Sequence, residues 1–388
     1  MTKAGMLAAA ILLAAGGAMA QQRFVFDGHV HAVDRIFYHG GDIGERKADG
    51  QFDLSRAKEG GLGALFFSIF VTEDYYPGRL ETKQALRMLD TALVQIERNK
   101  AAIEVARNAT DIERIRRSGK MAAVLDIEGS FDLDGDLGVL RQMYRLGLRS
   151  VQLSAHNWTS NYADSCCSAP KWHGLNERGR EFIREMNRLG MVINVSHASD
   201  EAVAQAIELS TDPVVATHHG LRVVTDIPRN MPEDLMRKLA AKGGVFGFQI
   251  GNEFHNQKAF DWAKAHAGKA FWDTSAIAAR GPLNIAEIDK LVAPQFPMKP
   301  AAIPEEIRLT MDGWVAVVEK AVALIGEDHV SLGSDFDGGP PPPRGMRDVR
   351  DLGMIADAMQ RRGWPEARIE KFLGGNLLRV FRQITEKK

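Results

Sequence analysis

The chain has 388 residues, 26% of them charged, and a formal net charge of -1. This length is large for one ordinary domain but common for a (β/α) barrel. The balanced charge argues against nucleic acid as a partner. The two cysteines, Cys166 and Cys167, are adjacent in the chain. Because neighbouring cysteines rarely form a relaxed disulfide, we expect ordinary packing for this pair and no disulfide framework.

The first twenty residues have the features of a secretory signal peptide. Lys3 gives a basic start, residues 7–15 form a short apolar run, and Ala18-Met19-Ala20 is a small-residue cleavage site. The run is shorter than the ~20 residues that a membrane-spanning helix needs. We therefore expect removal of residues 1–20, a periplasmic or secreted mature chain, and no stable membrane span.

Short apolar runs rich in β-branched residues alternate with amphipathic segments along the rest of the chain. A first strand ends at His29 and His31. Further strands are predicted over residues 64–70, 121–127, 150–154, 192–195, 214–217, 245–250 and 330–333, and helices over residues 81–107, 137–146, 177–189, 200–209 and 232–241. Strands that alternate with helices pair in parallel through right-handed crossovers. About eight such units predict an α/β fold, a closed (β/α)8 TIM-like barrel formed by residues 21–388 as one domain.

The alternation breaks between the seventh and eighth predicted strands, over residues 251–306. This segment contains Phe254, Trp262 and Trp272 among its large apolar residues, too many for a disordered linker. We interpret it as a helical insertion that forms a lid over the barrel mouth. A peripheral ornament and a dimer surface are the alternatives.

The first strand ends in two histidines separated by one residue. Alternate residues of a strand point to the same side, so the imidazoles of His29 and His31 can converge on one point. Two neutral imidazoles suit a divalent transition metal such as zinc. A pair of structural histidines is the alternative on this stretch alone.

The other predicted strands end in the same kind of residue. The residues that follow or end these strands are Glu128 at the third, His197 at the fifth, His218 at the sixth and Asp335 at the eighth. In a (β/α)8 barrel the carboxyl ends of the strands share one face, where active sites lie. With His29 and His31 they make six ligands, enough for two metal ions bridged by a carboxylate. Such a pair activates water and polarises a carbonyl oxygen, which is the chemistry of amide or ester hydrolysis.

The order and the local motifs resemble those of the membrane (renal) dipeptidases, binuclear zinc peptidases of the amidohydrolase-like barrel group. The motifs are Asp27-Gly28-His29, Ile127-Glu128-Gly129, Ser196-His197, Thr217-His218, Arg229-Asn230, residues 333–338 and residues 374–381. The resemblance implies two Zn²⁺ ions per chain, the first bound by His29, His31 and Asp335, the second by His197 and His218. Glu128 would bridge both. The family usually has Asp where this chain has His31, so we expect the first metal to be held less tightly.

The resemblance also implies how a substrate is held. It places a substrate-contacting histidine after the fourth strand. We expect His156 to take that position here and to stabilise the oxyanion, and the neighbouring Asn157 is the alternative. Arg229, with Asn230, would bind the free C-terminal carboxylate of a dipeptide, although an ion pair of Arg229 with Glu233 or Asp234 is a structural alternative. A hydroxide bridging the zinc ions would attack the scissile carbonyl, and Asp335 would transfer the proton to the leaving amine.

Two other functions remain open from the sequence. Related barrels serve as lactonases or deacylases, but these usually carry a metal-bridging carboxylated lysine, and no lysine ends a predicted strand here. A non-catalytic periplasmic protein that binds zinc or peptides is the second alternative, and the complete ligand set argues against it. The sequence does not determine the side-chain or stereochemical preference for the dipeptide. The resemblance suggests a homodimer.

Overall fold

The barrel is formed by eight parallel strands. The computed structural model describes residues 23–72, 75–76, 80–129, 135–154, 159–266 and 283–386; the predicted signal peptide, His156 and Asn157 lie outside these ranges. Strand order around the barrel follows chain order, and a parallel bridge between Val30 and Phe336 joins the first strand to the segment after the last. The predicted (β/α)8 TIM-like barrel is confirmed.

The strands and helices have the following bounds. The strands are β1 (Val25–Val30), β2 (Leu62–Phe70), β3 (Ile103–Val105), β4 (Met121–Glu128), β5 (Ser150–Gln152), β6 (Val192–Asn194), β7 (Val215–His219), β8 (Val245–Phe248) and β9 (Val330–Leu332). The helices are α1 (Asp34–His39), α2 (Leu54–Glu59), α3 (Leu80–Arg98), α4 (Ala109–Arg117), α5 (Leu137–Leu146), α6 (Glu177–Leu189), α7 (Asp200–Leu209), α8 (Glu233–Ala241), α9 (Gln257–His266), α10 (Ile285–Val292), α11 (Met311–Ile325), α12 (Gly353–Arg361), α13 (Glu366–Glu370) and α14 (Asn376–Thr385).

One predicted helix is too long. Residues 81–107 were expected to be helical, but α3 ends at Arg98, and residues 103–105 form β3, which pairs with β4 outside the eight-stranded ring. The main-chain N–H of Asn99 still bonds back to α3, and its side chain donates to the main-chain oxygen of Gln95 and to Asp42. An Asn side chain that bonds locally favours a helix end over continuation.

One end of the barrel is closed by α14. The rings of Phe26 on β1 and Phe66 on β2 lie 6.3 and 6.1 Å from the ring of Phe381. These residues belong to a buried apolar cluster that also includes Val192 and Val245, the first residues of β6 and β8. This packing fills the amino-terminal end of the barrel and leaves the carboxyl ends of the strands for the polar residues.

Close contact between strands in the barrel interior depends on glycine. A Cβ atom added to Gly333 or Gly247 would lie 1.7 or 1.9 Å from the main-chain oxygen of Thr217. Both distances are far below any van der Waals contact, and backbone cannot move aside cheaply. Thr217 of β7 therefore lies closer to β8 and to the residue after β9 than any side chain at these two glycines would allow.

The segment between β8 and β9 contains helices α9 and α10, which agrees with the predicted helical insertion. Ile288 and Val292 of α10 pack in one buried cluster with Phe70 and Tyr76 of the first barrel units. The hydroxyl of Tyr76 donates to Asp289 at 2.8 Å. α10 is thus fixed to the barrel wall by apolar and polar contacts together.

The cysteine pair differs from its prediction. Cys166 and Cys167 are joined by a disulfide, so the expectation of ordinary packing was wrong. The bond links adjacent residues and therefore closes no long loop.

Among the described residues, no helix is long and apolar enough to cross a membrane.

Candidate metal centre

The six predicted ligands lie together at the carboxyl ends of the strands. His29 and His218 are within β1 and β7, Glu128 is the last residue of β4, and His31, His197 and Asp335 follow β1, β6 and β9. Each of the six is no more than 7% exposed. Residues that are far apart in the sequence are therefore gathered in one buried cluster, as the barrel topology predicts.

The first group of potential ligands contains His29, His31 and Asp335. Nε2 of His29 and Nε2 of His31 are 3.3 Å apart. Oδ1 of Asp335 lies 3.2 Å from Nε2 of His31 and 3.9 Å from Nε2 of His29. Three donor atoms of the kinds that bind zinc thus converge on one point.

Glu128 connects this group to a second one. Its Oε2 lies 2.9 Å from Nε2 of His29 and 3.2 Å from Nε2 of His31. Its Oε1 lies 3.1 Å from Nε2 of His197, which in turn lies 2.9 Å from Nε2 of His218. One carboxylate oxygen faces each pair of histidines, which is the arrangement of a bridging ligand.

These distances fit metal ions. Ligand nitrogens about 2.0–2.1 Å from a tetrahedral zinc ion lie about 3.4 Å apart. The Nε2 atoms of His29 and His31 are separated by 3.3 Å. Imidazole nitrogens that face one another this closely cannot both carry a proton, and a shared cation resolves the conflict. The His29–His31 pair therefore fits a divalent metal ion, and the Nε2 atoms of His197 and His218, 2.9 Å apart, form a second candidate pair on the other side of Glu128.

Side chains behind the histidines fix the ring tautomers. Nδ1 of His31 lies 2.7 Å from Oδ2 of Asp34. Nδ1 of His29 lies 2.9 Å from the hydroxyl of Ser68, which donates to Asp126 at 2.8 Å. β2 and β4 pair in a register that sets Ser68 opposite Asp126. A proton held on Nδ1 leaves Nε2 free to bind metal.

The electrostatics of the metal-free cluster show how tightly the charges interact. Burial alone would lower the pKa of His29, but hydrogen bonds with Asp126 and Glu128 outweigh it and raise the pKa to about 9. Burial alone would raise the pKa of Glu128, but the facing histidines hold it well below its usual range. Burial lowers the pKa of His218 well below its usual range. A metal ion must displace a proton from this cluster.

Two of the six candidate ligands have unusual backbone conformations. His197 has a φ of 64° and Asp335 a φ of 64°, values that non-glycine residues adopt uncommonly and at a cost. The main-chain N–H of Asp335 donates to the main-chain oxygen of His29 at 2.9 Å, and Gln249 donates to Oδ2 of Asp335 at 2.5 Å. The surrounding contacts thus hold the strained Asp335 with its Oδ1 toward the histidines.

A cavity of about 270 Å³ opens onto the cluster. The described residues that line it include the candidate ligands His31, Glu128, His197 and Asp335, together with Arg229 and, from the insertion, Glu253, Gln295, Met298 and Lys299. Binding pockets for small molecules start at roughly 300 Å³. The space therefore suits a small ligand, and the insertion forms part of its wall.

Arg229 reaches the cavity from the loop after β7. Its Nη2 donates to the main-chain oxygen of His218 at 2.8 Å and lies 3.0 Å from Nε2 of His197. Within the described ranges its Nε and Nη1 have no hydrogen-bond partner and Nη2 contacts only His197 and His218, so no ion pair with Glu233 or Asp234 is formed. Burial lowers its pKa to about 10, so the side chain is a cation at neutral pH with two donors to spare.

Asn230 is fully buried beside Arg229. Its amide nitrogen donates to the main-chain oxygens of Leu221, Thr225 and Phe254. These bonds hold the loop that carries Arg229, and a substrate contact of Asn230 stays a prediction. The prediction for His156 falls outside the described residues.

Sequence reasoning missed four polar residues of the site: Asp34, Ser68, Gln249 and Glu253. Asp34 had a detectable signal, since it follows His31 by three residues at the start of a helix. Ser68 becomes visible only through the register of β2 against β4. Gln249 and Glu253 belong to no motif, and their positions follow from the path of the chain after β8.

A (β/α)8 barrel with this ligand set at the carboxyl ends of its strands is a metal-dependent hydrolase by architecture and donor chemistry. The family model described as membrane dipeptidase, peptidase family M19, matches residues 15–388. The chain belongs to this family and is an enzyme of the metallopeptidase class.

Individual relatives agree with this assignment. Dipeptidase tcpJ of Claviceps purpurea is 30% identical over 345 residues, which cover 87% of this chain and 70% of that protein. Dipeptidase 3 of Mus musculus is 28% identical, and the match covers 87% of this chain and 58% of that protein. This chain therefore spans little more than half of the mouse protein.

Solved structures show the same fold. The dipeptidase AC, a metallo peptidase of family M19, has a TM-score of 0.75 at 22% identity and covers 95% of this chain and 100% of its own. A metallo peptidase from Rhodobacter sphaeroides, liganded with a phosphinate mimic of the dipeptide L-Ala-D-Ala, has a TM-score of 0.75 at 21% identity. It covers 94% of this chain and 99% of its own.

Proposed function

We propose that this enzyme hydrolyses the peptide bond of dipeptides that have a free C-terminal carboxylate and that it uses two zinc ions. The main supporting observation is the position of Arg229, which lines the same cavity as the ligand cluster and whose Nε and Nη1 have no hydrogen-bond partner among the described residues. A guanidinium group is well suited to a carboxylate because it can donate two parallel hydrogen bonds. His, Asp and Glu ligands around a bridging carboxylate suit zinc.

The residues around the cavity support a direct hydrolytic mechanism. Bound metal ions would lower the pKa of the attacking water and polarise the scissile carbonyl. Arg229 orients the substrate through its carboxylate, which places the scissile bond near Glu128 and Asp335. Gln249 donates to Oδ2 of Asp335 and orients this carboxylate, which accepts the water's proton and returns it to the leaving amine. The proposed oxyanion contact of His156 completes this scheme.

Two further properties belong to the proposal. The Rhodobacter sphaeroides structure contains a mimic of L-Ala-D-Ala, so we include dipeptides with a D-residue at the C-terminal position among the substrates. We also propose that residues 1–20 direct export and that the enzyme acts in the periplasm or outside the cell, as the sequence predicts.

The test combines metal analysis with a small substrate panel. The purified enzyme is expected to contain two zinc ions per chain, to lose activity on chelation and to regain it with zinc. It should hydrolyse Ala-Ala and Ala-D-Ala but act poorly on Ala-Ala amide, which lacks the carboxylate. Tight peptide binding without turnover would instead support a binding protein, and activity on lactones alone would support the other hydrolase branch.

Arg229→Lys tests the carboxylate contact directly. Losing the paired donors is expected to lower kcat/KM for Ala-Ala roughly 10- to 100-fold. Arg237→Lys is the control, because Arg237 is exposed on α8 and does not line the cavity. Equal activity of Arg229→Lys and wild type would refute the contact.

A further inference from the structure

Glu253 is a carboxylate in the cavity that the proposed mechanism does not use. It lies in a short 3₁₀ turn, Asn252–Phe254, just after β8, and it lines the cavity with Asp335 and Arg229. Its position is well fixed, because the side chain of Asn252 donates to the main-chain oxygens of Pro341 and Pro342 and accepts from the main-chain N–H of Leu309. Glu253 is therefore held at the cavity wall by contacts of its neighbour Asn252 with the segments before α11 and after β9.

Among the residues that the structure describes, Oε2 of Glu253 is a buried carboxylate oxygen without a hydrogen-bond partner. Burial and the charge of nearby Asp335 raise its pKa to about 8. A buried carboxylate without a partner is costly, so a cationic group that enters the cavity would be bound strongly there.

The cavity wall thus offers a ligand two groups of opposite type. Arg229 is a cationic donor, and Glu253 is a carboxyl group whose ionised form is favoured when a cationic group lies beside it. A free dipeptide is a zwitterion, with a carboxylate at one end and an ammonium group at the other, and the peptide bond lies between them. The two residues therefore match both ends of a dipeptide when the ligand cluster faces its middle.

We propose that Glu253 binds the α-ammonium group of the substrate's N-terminal residue and thereby restricts the enzyme to substrates with a free amino terminus. This inference rests on the proposed dipeptidase function. The alternative occupant is a basic side chain of the substrate, and the test separates the two.

The experiment compares Glu253→Gln with wild type on Ala-Ala and on propionyl-alanine, which differs only in lacking the ammonium group. Because a charge-assisted hydrogen bond is lost, kcat/KM for Ala-Ala is expected to fall roughly 10- to 100-fold. The value for propionyl-alanine, already low in wild type, should change less than about twofold. Glu253→Asp should recover part of the activity on Ala-Ala, and Glu305→Gln is the matched control, because Glu305 is exposed and lies outside the cavity.

Three results would overturn the inference. An equal fall for both substrates, or a parallel loss of bound zinc or thermal stability, would show a structural role for Glu253. A loss confined to dipeptides with a Lys or Arg side chain would assign the carboxylate to that side chain. If Glu253→Gln keeps wild-type kcat/KM for Ala-Ala, this inference alone fails, whereas a wild-type enzyme that hydrolyses no dipeptide refutes the proposed function as well.

Discussion

Asp34→Asn is expected to weaken metal binding at the group formed by His29, His31 and Asp335 while keeping the shape of the side chain. Asp34 is 1% exposed. Its Oδ2 lies 2.7 Å from Nδ1 of His31, and its Oδ1 accepts from the main-chain N–H of Phe70 at 3.3 Å. The carboxylate thus accepts from two donors at once. A carboxamide has one oxygen and one NH₂ group and can satisfy only one of them.

The expected magnitude follows from the tautomer of His31. When the carboxamide oxygen accepts from Phe70, its NH₂ group faces Nδ1 of His31 and favours a proton on Nε2. Nε2 is the atom that lies 3.2 Å from both Glu128 and Asp335, and a protonated nitrogen does not bind metal. Loss of such a supporting hydrogen bond typically lowers metal affinity 10- to 100-fold, about 1.4–2.7 kcal/mol.

The assay is a competition titration of zinc against a chromogenic chelator, with the bound stoichiometry measured in parallel. Asp49→Asn is the control, because Asp49 lies on the same segment, has a side chain 61% exposed and pairs with Arg35 away from the cluster. Unchanged affinity in Asp34→Asn would refute the reasoning. A similar loss of zinc affinity in both variants would show that the loss comes from the chain segment that carries both residues and not from the contact of Asp34 with His31.

Two further predictions concern the fold and the proton balance. Gly333→Ala would place a Cβ 1.7 Å from the main-chain oxygen of Thr217, whereas Gly353→Ala meets no atom within 4 Å. We expect Gly333→Ala to lower the free energy of unfolding by about 1–3 kcal/mol or more, as measured by urea denaturation, and equal midpoints for the two variants would contradict this. The pKa of His29 is raised to about 9 in the metal-free protein, so its protonated form stabilises that state fully below about pH 6.5, and this contribution is lost as the pH rises through about 9. Zinc must displace this proton, and zinc affinity should therefore rise up to about tenfold per pH unit towards pH 9; a pH-independent affinity in the same titration would contradict it.

Much of the barrel could be predicted from local patterns. α5, α6 and α7 have the predicted bounds, and the side chain of Ser199 accepts from the main-chain N–H of Ala202 as an N-cap should. These helices combine strong amphipathic periodicity with clear end signals. The region after α3 has a weaker end signal, Asn99, and the end of the helix and the strand β3 were missed. Their positions depend on the pairing of β3 with β4, which is a tertiary contact.

The ligand cluster could be predicted because its geometry follows from topology alone. Parallel strands in a barrel bring their carboxyl ends to one face, so His197 and His218 needed no side-chain detail to be placed beside Glu128. The polar residues that surround the ligands obey no such rule. Gln249 reaches Asp335 and Glu253 reaches the cavity only because the chain after β8 turns across the barrel mouth. The sequence therefore predicted the candidate ligands but not the polar residues that surround them.

The negative charge around the centre is arranged in two layers. Glu128 and Asp335 face Nε2 of His31, and Asp34 lies on the opposite side of the same ring, at Nδ1. The family usually has a charged Asp at the position of His31, so a neutral His31 considered alone predicts weaker binding of the first metal. In this chain the negative charge is still present, because the carboxylate of Asp34 lies on the far side of the His31 ring from Nε2. Because an imidazole that donates to a carboxylate is a more basic ligand than an isolated one, we expect the weaker binding to appear when Asp34 is changed and not in the native enzyme.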